Sequence, residues 1–322
     1  VRDFVRSRVV DGQQRIRTHI SFHTAGELVL WPYGYTRTKV PASMTELDHK
    51  AFRAMGKTMG RSSRYTAKQS SRLYPTDGDM TDWMYARQRI FSFTFELYPT
   101  GGGTPKHWYP PDEVIGRENR RNRDAILYLM GKASCPYQAL GTNSAKNNCG
   151  PLFDDFEIWR GWKANPRGTD TATDGRWVRG DPQKSPLQLG SAVSGKSVLV
   201  TGRLPGHDVD GGVTTIRSPY FTVPASGKAT VRLKYWVGMG ASTSAADGFT
   251  VRLVDKDGKI VKILRKINGG KGRKLKPAWT FLSSAAPAGH GGQRLAIELK
   301  VVDSGKENTV EAAVDQVRVV AS

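Results

Sequence analysis

Apolar and polar positions alternate strictly over residues 91–98: Phe91, Phe93, Phe95 and Leu97 fall on one side of an extended chain, Ser92, Thr94, Glu96 and Tyr98 on the other. The pattern predicts a strand with one apolar face, and on that pattern alone Glu96 is a carboxylate on the wet side. Two earlier segments, 15–23 and 26–34, also read as strands. Between them and residue 91 the apolar period lengthens. Leu47, Phe52 and Met55 follow Thr45 at helical spacing, predicting a capped helix over 45–63. A second helix is expected over 81–89. A third spans 110–133, with Pro and acids at its start, Ile126, Leu127 and Leu129 inside, and Gly131 and Lys132 near its end. Such alternation predicts a mixed α/β sheet flanked by helices.

Beyond about residue 152 the pattern changes. Short β runs follow one another, separated by Gly, Ser, Asp and Pro, from Ser197–Arg203 through Thr214–Val223, Ala229–Gly238, Gly248–Leu264, Ala278–Ser284 and Gln293–Asp303 to Ala312–Val320. With Asp255-Lys256-Asp257-Gly258 as a hairpin signal, this rhythm predicts an all-β, jelly-roll-like antiparallel sandwich. The expected organisation is an α/β domain over 1–133, a linker over 134–152 and a sandwich over 153–322.

Composition is that of a folded chain: 322 residues, 38% hydrophobic, with no run of 18 apolar residues and no leader pattern at Val1. The absence of an initiating Met makes a processed or truncated product the expectation. Only two cysteines occur, Cys135 and Cys149, in a loop rich in Asn, Gly and Pro. A disulfide closing that loop would contribute about 3 kcal/mol and implies an oxidising compartment; two free thiols are the alternative. The net charge is +20, spread along the chain, and residues 258–276 hold eight basic residues and no acid. This stretch reads either as a solvated hairpin face or as a dock for a polyanion such as a cell-wall polymer, nucleic acid or anionic lipid headgroups. It has no interleaved aromatics of the kind that favour nucleic acid.

Three constellations in the first part carry candidate chemistry. His23 ends a predicted strand, where a neutral imidazole on a rigid element makes a good zinc ligand, although a lone His is more often structural. Tyr74 heads a loop with Asp77, Asp79 and Asp82 behind it; a phenol there can close over a ligand or simply sit on a polar turn. Glu96 is the third. Taken together, the order and spacing of Phe22–Thr36, Tyr74–Trp83 and Phe91–Leu97 resemble the C-terminal half of the zinc metallocarboxypeptidase family, the carboxypeptidase A and T type, over roughly residues 1–133.

The resemblance implies a part of the carboxypeptidase α/β sandwich and a role for each position. His23 matches the third zinc ligand, Tyr74 the loop tyrosine that covers the substrate carboxylate, and Glu96 the base that activates the zinc-bound water. Thr24 and Ala25, beside His23, fall on the substrate path. Thr81 matches the floor of the pocket for the C-terminal side chain, with Asp77 and Asp79 nearby to attract basic residues, so peptide and protein C-termini of apolar and basic character are the expected substrates. Cis peptides are implied at Pro32–Tyr33 and Tyr98–Pro99.

The family's HxxE ligand pair, the following Arg and the Asn-Arg substrate clamp have no match here: Glu27 stands one residue too far from His23, and His207 is followed by Asp210 at that spacing. One His cannot build a three-ligand zinc site, so the 322 residues are expected to lack zinc affinity and activity by themselves, as the middle and end of a secreted enzyme would. The later part resembles accessory modules of secreted bacterial hydrolases. Asp154, Asp155 and Asp315 are candidate calcium ligands there, or else turn and edge residues. Trp159, Trp162, Trp177 and Trp236 are read either as a sugar platform or as core. The rival functional reading is a non-catalytic glycan- or wall-binding protein with a vestigial peptidase half.

Overall fold

A computed structural model describes residues 1–322 except 11, 101, 102, 105–107, 306, 307 and 322. The chain divides into two compact units, Val1–Val10 with Gln14–Asn147, and Asp11–Gln13 with Asn148–Ser322.

The chain opens with a short helix α1 (Arg2–Ser7) and two-residue strands β1 (Val9–Val10) and β2 (Gln13–Gln14). The first unit is then organised by a four-stranded sheet in the order β3 (Thr18–Thr24), β6 (Phe91–Leu97), β4 (Leu28–Trp31), β5 (Thr66–Gln69). β3 runs parallel to β6 and β4 antiparallel to it, so β6 is central. That position corrects the wet-face expectation. Ser92 and Thr94 are buried along with the phenylalanines: the Ser92 hydroxyl lies 2.8 Å from the His19 ring on β3, and Thr94 faces the loop carrying Ser70 and Tyr74.

Helix α2 (Glu46–Ser63) starts where Thr45 accepts the Asp48 N–H at 3.0 Å and ends at Arg64 in the left-handed region. It buries Ala51, Phe52, Met55 and Met59 at a three-to-four residue period, and Phe52 meets the rings of Tyr85 and Phe93 at 5.0 and 5.4 Å. Gly56 permits the close approach: an added Cβ would stand 2.6 Å from the Trp31 ring. Helix α3 (Met80–Gln88) follows Asp79, whose carboxylate caps the Thr81 N–H, and buries Met84 and Tyr85. Asp48 accepts the hydroxyls of Tyr85 and Tyr137, each at 2.6 Å, tying α2 to both segments.

Helix α4 (Ile115–Gly131) begins later than the prolines suggest, after a 3-10 turn at Asp112–Val114. Its buried stripe is Asn122, Ala125 and Leu129, while Leu127 points to solvent. Of the apolar residues expected inside, Leu129 is buried and Ile126 half-buried, and Asn122 joins that face by donating to the Tyr65 hydroxyl at 3.1 Å. Cis peptides occur at Pro32–Tyr33 and Tyr98–Pro99, as the resemblance implies, and also at Thr24–Ala25.

The second unit is a sandwich of two antiparallel sheets. One has the order β16 (Thr280–Ala285), β13 (Ala229–Met239), β18 (Val310–Ala321), β10 (Val198–Thr201), β9 (Trp177–Gly180), with β7 (Leu152–Asp154) also on β18. The other has the order β15 (Ile260–Asn268), β14 (Gly248–Val254), β17 (Arg294–Asp303), β11 (Gly212–Arg217), β8 (Lys163–Ala164), with β12 (Phe221–Thr222) on β17. Alternate residues such as Val231, Leu233, Phe249, Val251, Ile297, Leu299 and Val314 fill the core between the sheets. Trp162 and Trp177 are buried there and Trp236 in a separate cluster with Val198, Val200 and Ala313, leaving only Trp159 of the four candidates exposed. Cys135 and Cys149 are disulfide-bonded. Among the described residues no helix is long and apolar enough to cross a membrane.

Candidate active site

The parallel register of β3 and β6 sets Ser21 beside Thr94 and His23 beside Glu96, two residues apart on each strand and therefore on one face. These four side chains line a cavity of about 460 Å³ whose opposite wall is the loop carrying Ser70, Tyr74, Asp77 and Asp79. The sequence-predicted His23, Tyr74, Asp77 and Glu96 are thus brought together, and with them Asp79. Tyr74 is exposed at the rim.

Glu96 Oε1 lies 4.0 Å from His23 Nδ1, and the carboxylate side chain is only 15% exposed. Burial pushes the Glu96 carboxyl up; the His23 ring draws it down and the Asp79 charge pushes it up further. His23 Nε2 is 3.0 Å from the Ser21 hydroxyl, which orients the ring. The turn between β3 and β4 is packed against Glu96: at Gly26 an added Cβ would lie 3.1 Å from Glu96 Cβ. Gly26 and Glu27 both donate their N–H to the Leu97 carbonyl, at 3.0 and 3.4 Å. Glu27 has φ 52°, a left-handed conformation. The Arg121 fork holds its side chain at 2.7 and 2.9 Å and keeps the Glu27 carboxyl below the usual range.

Thr24, Ala25 and Thr81 stand outside the cavity lining. Thr24 is exposed at the end of β3, Ala25 is half-buried in the turn, and Thr81 is buried, with its N–H and hydroxyl both donated to Asp79 Oδ1 at 2.7 and 2.8 Å. Asp79 is consequently fixed by its own helix and turned to the cavity. Asp82 serves the structure instead, accepting the Gly34 N–H at 2.9 Å and the Tyr35 N–H at 3.1 Å, and burial pushes its carboxyl up to about 6. Sequence reading missed Ser21, Ser70 and Thr94 as lining residues. The alternation that flags Glu96 also holds the signal for Thr94, as His23 does for Ser21.

His23 is a suitable imidazole donor, but the residues present do not make a zinc site by themselves. Among the described residues no three His, Cys, Asp or Glu side chains are grouped to hold a metal ion. The same finding leaves calcium in the second unit without support, and the other reading of its aspartates, as turn and edge residues, fits their hydrogen bonds. Asp154 accepts from the Phe156 N–H and the Trp162 indole at 2.9 and 2.8 Å, with Arg160 at 3.7 Å. Asp315 accepts the N–H groups of Val193, Ser194 and Gln316. These carboxylates, with Asp155 beside them, are occupied in pinning the sandwich's edge segments instead of facing an ion.

Residues 1–125 match the family model of zinc carboxypeptidase. This part of the chain is 38% identical over 138 residues to a zinc carboxypeptidase of Saccharothrix mutabilis subsp. capreolus, covering 43% of this chain and 31% of that protein. It is 35% identical over 101 residues to carboxypeptidase A1 of Rattus norvegicus, covering 31% and 23%. Among solved structures it is similar to thrombin activatable fibrinolysis inhibitor, with 22% identity over 44% of this chain and 33% of that one and a TM-score of 0.35. The first part of the chain is thus similar in sequence to zinc carboxypeptidases over residues 1–125, and a β-sandwich region follows it. The chain spans less than a third of the length of these relatives.

Proposed function

We propose that residues 1–133 supply the proton-transferring and substrate-enclosing side of a zinc carboxypeptidase active site, which removes C-terminal residues from peptides and proteins. The observation that carries this reading is the convergence of His23, Glu96, Tyr74 and Asp79 on one cavity within the stretch that matches the family. Glu96, raised by burial, is suited to take a proton from the attacking water and hand it to the leaving amine. Its seat on a central strand fixes the direction of that transfer. Tyr74 at the rim covers the bound end of the substrate and donates its hydroxyl to it. Asp77 and Asp79 draw a basic C-terminal side chain, while the apolar wall of Leu30, Leu73 and Met80 takes aliphatic and aromatic ones. Zinc, when held by His23 with two further donors, would polarise the scissile carbonyl. Because these residues do not complete that donor set, the 322-residue chain by itself should bind zinc weakly and turn over little peptide. The disulfide supports an oxidising, extracytoplasmic location.

The test is C-terminal residue release by the protein encoded by the complete gene. Glu96→Gln should lower kcat/KM by at least about 10³ with KM little changed, and kcat/KM should be higher for peptides ending in Phe, Leu or Lys than for those ending in Asp. Full activity in Glu96→Gln, or a preference for Asp, would refute the assignment. Stoichiometric zinc and peptidase activity in residues 1–322 alone would refute the claim about the donor set.

A further inference from the structure

The outer face of the second sheet of the sandwich carries an excess of positive charge that the peptidase reading does not use. Strand register lays its side chains in rows: Lys266, Thr250, Lys300 and Thr215 in one, and Ile263, Arg252, Glu298, Arg217 and Lys163 in the next. Neighbouring strands stand about 4.8 Å apart, so Lys266 and Lys300, two strands apart, are separated by roughly 10 Å. Glu298 is fully buried, gripped bidentately by Arg167 at 2.8 and 2.9 Å and by Arg252 Nε at 2.8 Å. Among the described residues the other carboxylate over these rows is Asp170, which accepts the Thr215 N–H and hydroxyl at 2.6 Å. Against these two acids stand six cations: Lys163, Arg167, Arg217, Arg252, Lys266 and Lys300. At the end of the hairpin, Asp255 is taken up by the N–H groups of Asp257 and Lys259, and Asp257 by Lys256.

We propose that this face, continued over the edge strand β15 and the exposed turn bearing Lys271, Arg273, Lys274 and Lys276, binds a linear polysaccharide carrying regularly spaced anionic groups. The charge imbalance argues for a polyanion, with Lys266 and Lys300 on alternate strands of one row and Arg217 and Lys163 side by side in the next. Base stacking is not provided for, since the nearby Tyr220 ring already carries the Arg217 and Arg294 guanidiniums at 4.8 and 5.3 Å. A neutral glycan would ask for open aromatic platforms, and the buried tryptophans supply none on this face. In support, Lys300 is pushed down by burial and then by the Arg252, Lys266 and Arg167 charges around it, repulsions that an arriving anion relieves.

The experiment is equilibrium binding of the full chain to polygalacturonate at low and physiological salt, with dextran, an oligothymidylate and phosphatidylglycerol vesicles run alongside. Polygalacturonate should bind most tightly and lose affinity steeply with salt. The quadruple variant Lys163→Gln, Arg217→Gln, Lys266→Gln, Lys300→Gln keeps the Arg167–Glu298–Arg252 cluster and should weaken binding at least tenfold. The same number of changes on α2, Lys50→Gln, Arg53→Gln, Lys57→Gln, Arg61→Gln, should weaken it less than twofold. Lys266→Glu alone, at an exposed edge position, should cost at least threefold and serves if the quadruple variant does not fold. Equal losses in the two quadruple variants, affinity for dextran equal to that for polygalacturonate, or tighter binding of the oligonucleotide or the vesicles would overturn the proposal.

Discussion

At the scale of single residues, the chemistry of Glu96 is set by what surrounds it. Burial and the Asp79 charge push its carboxyl up, while His23 opposes them. A direct reading is a carbon-13 NMR titration of the Glu96 carboxyl in the 322-residue chain, which needs neither zinc nor turnover. The midpoint should lie above the ordinary glutamate value, fall in Asp79→Asn and rise in His23→Ala. A midpoint unmoved by Asp79→Asn would separate the two carboxylates electrostatically and remove Asp79 from the site. The same logic makes Gly26 a residue of consequence. An added Cβ would sit 3.1 Å from Glu96 Cβ and 3.3 Å from Leu28 Cδ1. Gly26→Ala should therefore cost about 1–3 kcal/mol by denaturant melting, as overpacking does, and displace the Glu96 titration with it. No pattern in the sequence marks Gly26. Its need arises only when the turn is folded back onto β6.

At the scale of elements, Arg121 holds three of them together. Its guanidinium forks onto Glu27 in the β3–β4 turn, and it donates from Nε to the Ser63 carbonyl at 2.7 Å and from Nη2 to the Arg64 carbonyl at 3.1 Å, at the end of α2. Lysine has the charge but not the fork, so Arg121→Lys should recover little of the roughly 2–3 kcal/mol lost in Arg121→Ala, measured by urea melting. Near-complete rescue by Lys would show that charge alone matters. Elements themselves were largely legible: Thr45 announced α2 and the β6 alternation announced its strand, because caps and periodicity are local properties. The burial of Ser92 and Thr94 was not legible. It depends on β6 lying between β3 and β4, an order that no local pattern encodes. The Arg121 fork joins positions 94 residues apart and was hidden for the same reason. His23, Tyr74 and Glu96 could be singled out in the sequence because their spacing is shared with a known family, and they line one cavity, whereas the choice between calcium ligands and turn residues for Asp154, Asp155 and Asp315 stayed open because a carboxylate's backbone donors cannot be seen in a sequence.

At the scale of the whole molecule, the switch from helical to short β periodicity announced two kinds of structure, but not what the second unit buries. Asp154, Asp303, Glu311 and Asp315 lie inside the sandwich, and burial pushes each carboxyl up to about 7. One oxygen of Asp303 and one of Glu311 have no hydrogen-bond partner. In the unfolded chain these groups titrate near 4. Between about pH 4 and 7 the folded state therefore binds more protons than the unfolded one, and stability falls as pH rises. Their contribution is complete below the unfolded pKa and is lost as pH climbs through about 7. Asp174, lowered by the Gly175 N–H and by His207, acts in the opposite sense but lower on the scale, as pH falls through its depressed pKa. One unit of pKa difference corresponds to about 1.4 kcal/mol, and 1 kcal/mol moves a domain of this size by about 2–4 °C. Scanning calorimetry should accordingly place the sandwich transition several degrees higher at about pH 5 than at about pH 8. Asp303→Asn, which cannot ionise, should flatten the difference. A transition that instead rises from pH 5 to pH 8 would mean that these carboxylates are ionised and paired in the folded protein, and that the sandwich tolerates charge where its packing says it should not.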